Sequence, residues 1–342
     1  MFPRLTFQRF RDKPVGRTAM LLCVRLAAVL VGLVLAASLY VASLGSDTLV
    51  THLWFFKLRS AAFVVWDSSL YSLKQLDKSA ARARIASLDT SSETREYQMG
   101  SLVPSDTPAL RRKYFTELDD FPHCDARFAS SERLSLQSDD ERAETLHNLM
   151  YFYSEFCREY DITSWLAHGT SIGYYWGRKQ LPWDDDIDMQ VDGASMHRLA
   201  QLNGTLFRSV YLLDVNPNYS YRHLDDILNV IDARFINTIT GNYIDITLVV
   251  PITAQHTFLF PALSSDSDGN EIVGYSCKSP HLFAPEILFP LHAGLWESNV
   301  PVWRPNDIVG AMSIEYGDGS MQKVSFGPFH WDESREMWVK RP

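Results

Sequence analysis

Cysteine is scarce in this chain, and basic residues are outnumbered by acidic ones. Four cysteines among 342 residues are too few for a fold held together by disulfides. Cys23 lies in an apolar N-terminal segment, and Cys124, Cys157 and Cys277 permit one disulfide whose pairing the sequence leaves open. The formal net charge is −9, and no basic surface is evident beyond the N-terminus, so we expect no binding to nucleic acid.

Apolar residues are plentiful. A hydrophobic content of 46%, with 13% aromatic residues, is ample for a packed core and excludes a chain that is disordered throughout. The length allows one large catalytic domain or two small ones.

The longest apolar run extends from Leu26 to Leu44 without a charged residue, and basic residues precede it. As a helix this run approaches the hydrocarbon thickness of a bilayer, about 30 Å. We predict a cytoplasmic tail at residues 1–19 and an uncleaved transmembrane signal anchor at residues 20–44. A signal peptide cleaved near Ala36-Ala37-Ser38 is the alternative.

This orientation places the remainder of the chain outside the cytosol. Two acceptor sequons begin at Asn203 and Asn218, and they are the candidate glycosylation sites of a lumenal domain. We therefore predict a single-pass type II protein of the Golgi or another secretory-pathway membrane.

The rest of the chain divides by composition. Residues 45–108 mix aromatic, Ser, Thr and charged residues and are predicted to form a stem and linker. The catalytic domain is predicted at residues 109–330, followed by a tail at residues 331–342. Its patterns predict both strands and helices, with an amphipathic helix packed on the sheet that carries the site.

Several elements of this domain have specific signals. Ser138 opens a capping box ahead of an amphipathic helix that extends to Tyr160. Strands are predicted at residues 162–167, 187–191, 229–235 and 243–250, and helices at residues 171–178 and 305–316.

Four carboxylates are crowded into five positions at Asp184, Asp185, Asp186 and Asp188. Like charges this close repel unless a cation offsets them. Alternate residues of a strand share a face, so Asp186 and Asp188 project together, with Asp184 as a helper and Asp185 as an outward-facing bystander. Hard oxygen ligands in this number suit Mg²⁺ or Mn²⁺.

Other metal sites fit this stretch less well. A calcium loop starting at Asp184 would place Met189 where glycine is needed and Ser195 where a bidentate glutamate is needed. A zinc site is disfavoured because no cluster of His or Cys accompanies the acids.

A third carboxylate would complete a nucleotidyltransferase-type site, and Asp245, between Ile244 and Ile246, is the best candidate. A buried Asp needs a partner, which a shared metal would provide. Asp232 is the competitor, with a structural ion pair to Arg234 as its alternative role.

The segment before the acids is the candidate substrate-binding region. Gly169 and Thr170 would let a phosphate approach the backbone and a hydroxyl closely. Arg178 is a candidate for neutralising the donor, with Lys179 ranked below it, and both are surface cations otherwise. His168 is a secondary candidate, because a His at a strand end is commonly structural.

Residues 168–188, HGTSIGYYWGRKQLPWDDDID, resemble the signature of the LicD/fukutin nucleotidyltransferase-like family. Further blocks resemble its fungal branch, which is associated with mannosylphosphorylation of cell-wall glycans. These blocks are PHCDARF (122–128), YLLDVNP (211–217), NVIDARFINTITGNYIDIT (229–247), CKSPHLF (277–283) and the run from Leu295 to Gly317.

The resemblance implies an α/β (α+β) nucleotidyltransferase fold with a mixed sheet flanked by helices. It also implies transfer of a phospho-sugar from a nucleotide diphosphate donor, with GDP-mannose as the expected donor, to a glycan acceptor. It assigns Asp186, Asp188 and Asp245 as catalytic metal ligands and Gly169 and Thr170 to the donor-binding turn. Asn237 stands where the fungal pattern has an acidic residue, and Cys124 stands where it has Tyr. These departures bear on substrate choice.

Three rival interpretations remain at this point. The same Asp-x-Asp pair would serve a glycosyltransferase that releases a nucleoside diphosphate. A non-catalytic subunit would instead bind or activate a separate mannosylphosphate transferase in the same membrane, and a complex with other Golgi transferases is the expected assembly. A lectin-like module would bind glycans without divalent metal.

Overall fold

The structure is a computed structural model that describes residues 78–88, 91–121, 123–223, 225–253, 272–279 and 281–341. The chain divides into two compact units, Met1–Ala80 and Ala81–Pro342. The predicted anchor falls in the first unit and lies outside the described residues. No helix in the described ranges is both long enough and apolar enough to cross a membrane.

Helices and strands alternate along the second unit. The helices described are α1 (78–88, of which 81–88 lie in this unit), α2 (Ser131–Ser135), α3 (Asp139–Glu159), α4 (His168–Gly177), α5 (Gly193–Gln201), α6 (Pro285–Leu288) and α7 (Ile308–Tyr316). The strands described are β1 (Thr94–Arg95), β2 (Ser164–Leu166), β3 (Ile187–Val191), β4 (Leu206–Phe207), β5 (Tyr211–Val215), β6 (Ala233–Asn237), β7 (Tyr243–Leu248), β8 (Val250–Thr253), β9 (Ile272–Ser276), β10 (Leu291–Trp296), β11 (Val300–Arg304), β12 (Ser325–Phe326), β13 (Phe329–Asp332) and β14 (Met337–Lys340).

A nine-stranded sheet in the order β1-β10-β11-β2-β3-β7-β6-β5-β4 organises the unit. The pairs β11/β2 and β3/β7 are parallel and the other pairs are antiparallel. Two smaller sheets, β8-β9 and β12-β13-β14, complete the strands described. The prediction of a mixed α/β fold is confirmed.

Strand alternation gives the large sheet one apolar face. Ile187, Met189 and Val191 of β3 are all nearly inaccessible to solvent. They share that face with Phe235 of β6, whose ring packs against Tyr153 and Phe156 of α3. The charged residues of these strands therefore emerge on the opposite face.

Helix α3 begins where the sequence indicates. The Ser138 hydroxyl accepts a hydrogen bond from Glu141 N, and the Glu141 carboxylate accepts one from Ser138 N, which together form the predicted capping box. Leu146, Leu149 and Met150 lie on its buried face.

Residues 91–100, part of the predicted linker, pack on this unit. Strand β1 pairs with β10, and the Tyr97 hydroxyl donates a hydrogen bond to Val249 O. Gln98 O accepts one from Ala194 N at the start of α5. A Cβ at Gly193 would lie 2.0 Å from Met99 O, so only glycine allows this approach. The compact unit thus begins before residue 109, and β13 and β14 carry it into the predicted tail.

Most element boundaries differ from prediction by a few residues, and two of these differences bear on the site. Helix α4 starts at His168, so the expected His-Gly-Thr turn is the first helical turn. Strand β6 occupies Ala233–Asn237, later than the predicted 229–235, because the segment before it turns at Asn229. The predicted strand 187–191 is confirmed residue for residue.

The three described cysteines, Cys124, Cys157 and Cys277, are free thiols, so none of the predicted pairings forms. Burial raises the pKa of the Cys157 thiol to about 12, as expected for a small core residue on α3.

Candidate active site

A row of charged residues crosses the face of the large sheet that lies opposite its apolar face. Asp188 of β3 and Asp245 of β7 are direct partners in the parallel ladder. Arg234 of β6 stands opposite Asp245, and Asp214 of β5 stands opposite Arg234. Neighbouring strands lie about 4.8 Å apart, so the predicted metal ligands Asp188 and Asp245 share one face at close range.

The first turn of α4 closes the site beside this row. Thr170 is 1% exposed, and its hydroxyl oxygen accepts a hydrogen bond of 2.9 Å from Asp188 N. A Cβ at Gly169 would lie 3.2 Å from Asp184 Oδ2. Both residues lie beside the carboxylates, as the sequence predicts. Thr170 also links α4 to β3.

Burial and neighbouring negative charges raise the pKa values of three carboxyl groups of the site. Burial, a hydrogen bond with Asp186 and the surrounding negative charges raise the pKa of Asp184 to about 9. Burial and the charges of Asp186, Asp245 and Glu315 raise the pKa of Asp188 to about 7, against the opposing effect of His168. Burial also raises the pKa of Asp245.

This donor set fits a hard divalent cation. Three carboxyl groups with raised pKa values, Asp184, Asp188 and Asp245, lie close enough to Asp186 for its charge to contribute to each rise. The ligand atoms of the predicted set Asp186, Asp188 and Asp245 do not all lie within 4.8 Å of one another in the described structure. A divalent ion would offset the repulsion that raises those values. Oxygen donors in this number are those that Mg²⁺ and Mn²⁺ prefer.

His123 belongs to the site, although the sequence analysis did not single it out. Its Nδ1 lies 3.2 Å from Asp186 Oδ2, and its Nε2 lies 3.9 Å from Asp185 Oδ1. The hydrogen bond with Asp186 outweighs burial and raises the pKa of His123 to about 9. Burial alone would raise the pKa of Asp186, but the hydrogen bond with His123 lowers it.

The three residues His123, Asp185 and Asp186 each offer a ligand atom within 4.8 Å of the others. The prediction that Asp185 is a bystander does not account for this cluster. The signal available in the sequence was the block PHCDARF, which contains His123.

His168 is held by a residue far along the chain. Its Nδ1 lies 2.8 Å from Glu315 Oε2 on α7, and the Glu315 side chain is 5% exposed. Burial alone would lower the pKa of His168, but the Glu315 hydrogen bond and the charges of Glu315 and Asp188 raise it to about 10. The backbone φ of His168 is 44°, an uncommon value for a residue other than glycine. His168 thus joins α4 to α7 beside the row.

We expect the His168–Glu315 pair to stabilise the fold in a pH-dependent way. The pKa of His168 is higher in the folded protein, so its stabilising effect is complete below about pH 6.5 and disappears as pH rises through about 10. Urea unfolding of wild type and His168→Gln should show a difference in unfolding free energy that shrinks over this range. The difference between wild type and Glu315→Gln should shrink with rising pH in the same way. A difference that does not change with pH would contradict a stabilising His168–Glu315 ion pair.

Arg178 does not reach the carboxylates. It caps the C-terminal end of α4, and ten helical residues separate the two ends by about 15 Å. Within the described residues its side chain forms no ion pair with a site carboxylate. Lys179 follows it and lines a separate cavity with Asp184.

Arg234 supports Asp245 from within the sheet. It is 1% exposed, its Nε donates to Asp245 Oδ1 at 2.7 Å, and its Nη2 donates to Glu117 Oε1 at 2.7 Å. Its guanidinium lies 3.6 Å from the centroid of the Tyr243 ring. A planar ion pair of this kind fixes the orientation of the carboxylate.

The rival third carboxylate, Asp232, has a structural role. It is fully buried, contacts Arg222 Nη1 at 2.7 Å and Lys278 Nζ at 3.4 Å, and accepts a hydrogen bond from Leu248 N. Its expected partner, Arg234, forms an ion pair with Asp245 instead. Arg234 and Asp245 lie opposite each other on the neighbouring strands β6 and β7.

The two residues that depart from the fungal pattern are structural. Asn237 Oδ1 accepts hydrogen bonds from Ile239 N and Thr240 N in the β6–β7 turn. Cys124 is buried and forms an isolated bridge with Asn242. Neither residue lies in the charged row.

The two glycosylation candidates differ. Asn203 is exposed and its Oδ1 accepts a hydrogen bond from Val215 N. Asn218 is 0% exposed, and its amide binds Leu110 and Asp226. A glycan on Asn218 is incompatible with this fold, so that prediction is wrong for the folded protein.

Comparison with known proteins gives a family match over the centre of the chain. Residues 161–293 match the model described as LicD/FKTN/FKRP, nucleotidyltransferase domain. The match covers Asp186, Asp188 and Asp245 and stops before Glu315. His123 and the sheet β12-β13-β14 also lie outside it.

Two proteins of Saccharomyces cerevisiae (strain ATCC 204508 / S288c) are similar to the chain. One, Mannosyltransferase regulator 14, is 30% identical over an alignment of 233 residues, and the match covers 59% of this chain and 25% of that protein. The other, Mannosyltransferase regulator 4, is 34% identical over an alignment of 156 residues, and the match covers 41% of this chain and 13% of that protein. The chain therefore spans a quarter or less of either relative. The predicted resemblance, including its fungal branch, is confirmed.

Proposed function

We propose that this chain, whose residues 161–293 match the LicD/FKTN/FKRP nucleotidyltransferase model, is a metal-dependent phosphotransferase that acts on glycans. It would move a phospho-sugar from a nucleotide diphosphate donor, with GDP-mannose as the expected donor, to a hydroxyl of a cell-wall or glycoprotein glycan. The ladder partnership of Asp188 and Asp245, with Asp186 directly before the strand of Asp188, is the observation that carries the proposal.

The cation would be held by Asp186, Asp188 and Asp245, with Mg²⁺ or Mn²⁺ as the candidates. Bound there, it supplies positive charge for the phosphate oxygens of the donor. Arg234 occupies one oxygen of Asp245 and so orients the other. Thr170 fixes the backbone of Asp188, and Gly169 lets the Asp184 carboxylate approach the first turn of α4 closely.

The reaction is a displacement at the phosphorus atom that bears the sugar. The acceptor oxygen forms a bond to that phosphorus and loses its proton to solvent. The bond from the same phosphorus to the oxygen of the nucleoside monophosphate breaks, and the monophosphate leaves with the electron pair. With GDP-mannose the products are a mannose-1-phosphate diester and GMP.

The identity of the released nucleotide tests this reaction. Full-length purified protein is incubated with GDP-mannose, an oligomannoside and Mn²⁺, and the nucleotides are analysed by mass. We expect GMP that depends on both acceptor and metal. Release of GDP would establish the rival glycosyltransferase reaction, because that bond cleavage leaves both phosphates on the nucleoside.

A second candidate is a non-catalytic regulator of a mannosyltransferase complex. The printed names of both relatives describe regulators. His123 and Arg234 also already provide cationic partners for Asp186 and Asp245. If the protein is a regulator, it should co-purify with a glycosyltransferase, and substitution of the carboxylates should leave glycan phosphate unchanged in cells.

His123 has two alternative roles. It is either a ligand of the metal or an internal cation that competes with the metal. An imidazole nitrogen suits Mn²⁺ better than Mg²⁺. If His123 is a ligand, His123→Ala should weaken Mn²⁺ binding about tenfold and Mg²⁺ binding less. Calorimetric titration with each metal measures this. Tighter binding of both metals by the variant would show that His123 competes with them.

The proposed location is the lumen of the Golgi or a related secretory compartment, with the N-terminal segment as a type II anchor. The exposure of Asn203 supports a glycan there. In cells, Asn203→Gln should remove a mass shift sensitive to endoglycosidase. Asn218→Gln should not remove that shift, and a shift lost only in this second variant would contradict the fold around Asn218.

A further inference from the structure

Helix α1 contacts both of the helices that meet beside the carboxylate site. Ala81 and Ile85, four positions apart, lie in the hydrophobic core and fix residues 81–88 to the unit. Arg82 and Arg84 extend from this segment to two different helices. Residues 81–88 precede the matched residues 161–293, so the family match does not include them.

Arg84 binds the C-terminal end of α4. Its Nε donates a hydrogen bond of 3.0 Å to Tyr175 O, and its Nη2 donates one of 2.8 Å to Trp176 O. The last carbonyl groups of a helix have no partner within the helix, so these two donors satisfy groups that α4 itself leaves unpaired. The positive charge of Arg84 also lies at the negative end of the helix dipole.

Aromatic rings hold the Arg84 guanidinium in place. Its central carbon lies 5.2 Å from the ring centroid of Trp331, 5.4 Å from that of Tyr175 and 5.5 Å from that of Trp176. Contact between a cation and an aromatic ring is favourable at these distances. Arg84 is therefore a fixed contact of α4 and not a mobile surface charge.

Arg82 makes the corresponding contact with α7. Its Nε lies 3.0 Å from each carboxylate oxygen of Asp307, the residue that caps α7. Asp307 Oδ1 also accepts a hydrogen bond of 2.9 Å from Gly310 N. Arg82 thus binds the carboxylate that holds the N-terminal turn of α7. The Arg82 side chain is half exposed, so we expect a smaller contribution from it than from Arg84.

The opposite ends of α4 and α7 meet at the site. His168 in the first turn of α4 binds Glu315 in the last turn of α7. Thr170, also in the first turn of α4, accepts a hydrogen bond from Asp188 N. Helix α4 is about 15 Å long and α7 about 13 Å long. Each helix therefore extends from an arginine of α1 to a residue beside the carboxylates.

These contacts form a closed frame. Helix α1 joins the far ends of α4 and α7, the His168–Glu315 pair joins their near ends, and the two helices pack against each other. A helix that is held at one end only can tilt, and a tilt of α4 would move Thr170 relative to Asp188. Groups that orient metal ligands must themselves be held by packing and hydrogen bonds.

We propose that Arg84, with a smaller contribution from Arg82, is a positioning residue of the carboxylate site and acts through α4 and α7. Its role in support of a metal site rests on the proposed function. Among the contacts of the described residues, neither arginine touches a carboxylate of the site. Both lie in residues 45–108, the predicted stem and linker, so part of that segment would contribute to the site.

Binding of Mn²⁺ to full-length protein without nucleotide or acceptor measures the effect, by calorimetric titration at a temperature where each variant is folded. We expect Arg84→Met to weaken Mn²⁺ binding about three- to tenfold and Arg82→Met about twofold, less than the loss of a group that binds a ligand directly. Arg84→Lys keeps the charge and should recover part of the affinity. Arg158→Met removes an exposed cation from the last turn of α3 and, as the matched control, should leave the affinity unchanged.

Hydrogen exchange of the metal-free protein provides a second measurement. The Asp188 amide donates to Thr170, so a tilt of α4 should open that hydrogen bond. We expect faster exchange in peptides that contain Asp188 when Arg84→Met is compared with wild type. Exchange in Arg158→Met should match wild type.

Unchanged Mn²⁺ affinity and unchanged exchange at Asp188 in folded Arg84→Met would overturn the proposal. A lower melting temperature with both readouts unchanged would show that Arg84 stabilises the fold without positioning the site. If Arg84→Met does not fold, Arg84→Lys and Asp307→Asn are measured in its place. Asp307→Asn keeps a helix cap while it removes the ion pair, so it should reproduce the effect of Arg82→Met.

Failure of the proposed reaction is distinguishable from failure of this role of α1. Exchange at Asp188 that depends on Arg84, in a protein that releases no GMP, would keep the positioning role and refute the transferase. Metal-dependent GMP release, with Mn²⁺ affinity and Asp188 exchange unchanged in Arg84→Met, would keep the transferase and refute the positioning role.

Discussion

Asp188→Asn should lower phosphotransfer about 10³-fold or more, because it removes a charged ligand from the centre of the charged row. Its carboxylate is the ladder partner of Asp245, and the amide keeps nearly the same shape. Release of GMP under saturating donor and acceptor measures the effect. Asp119→Asn, an exposed site outside the row, is the matched control and should retain activity.

The same substitution should have the opposite effect on stability without metal. The pKa of Asp188 is raised to about 7, so its charge destabilises the folded state at neutral and higher pH. We therefore expect Asp188→Asn to melt at a higher temperature than wild type in EDTA. Added Mn²⁺ should raise the melting temperature of wild type and not that of the variant.

Cellular phosphate content distinguishes enzyme from regulator. If deletion of the protein abolishes glycan phosphate and Asp186→Asn with Asp188→Asn leaves it unchanged, the chain is a regulator. Loss of phosphate in the double variant, with normal protein levels, is what the transferase requires.

Arg234→Met should cost about 3–5 kcal/mol of unfolding free energy, because it leaves the buried Asp245 carboxylate without its partner. The variant should also lose metal affinity, since Asp245 is no longer oriented. Urea unfolding and calorimetric titration with Mn²⁺ measure the two effects.

A double substitution checks the cause of this instability. Arg234→Met combined with Asp245→Asn should recover part of the lost stability, because the uncompensated charge is gone. Arg198→Met is the control, since its ion pair with Asp161 is exposed and should contribute about 0–1 kcal/mol. Equal losses in Arg198→Met and Arg234→Met would contradict the assigned role of the buried pair.

The sequence indicated which carboxylates lie at the centre of this candidate site, because local rules determine their placement. The period of two predicts that Asp188 projects from the face of β3 opposite Ile187 and Met189, Asp186 directly precedes that strand, and apolar neighbours mark Asp245 as buried. These features are independent of the register between the strands. The capping box at Ser138 is likewise a property of four consecutive residues.

The remaining site residues depend on long-range packing. Glu315 reaches His168 across 147 positions, and Glu117 reaches Arg234 across 117. His123 has a φ of 68° in a segment without helix or strand period. No pattern within a window of the sequence encodes these encounters.

The error at Asn218 has a physical origin. A sequon pattern reports the identity of Asn218 and not its burial, which arises when Leu110 packs beside it. The burial depends on a segment more than a hundred residues away, so no local pattern indicates it.

The strand order of the large sheet also constrains how the chain folds during synthesis. Strands β3 to β7 follow one another within residues 187–248 and can pair as they leave the ribosome. Strand β2 has one edge next to β3, but its other neighbour, β11, is made only at residues 300–304. That edge stays unpaired while more than a hundred residues are added, so this is the interval in which the nascent chain most needs a chaperone.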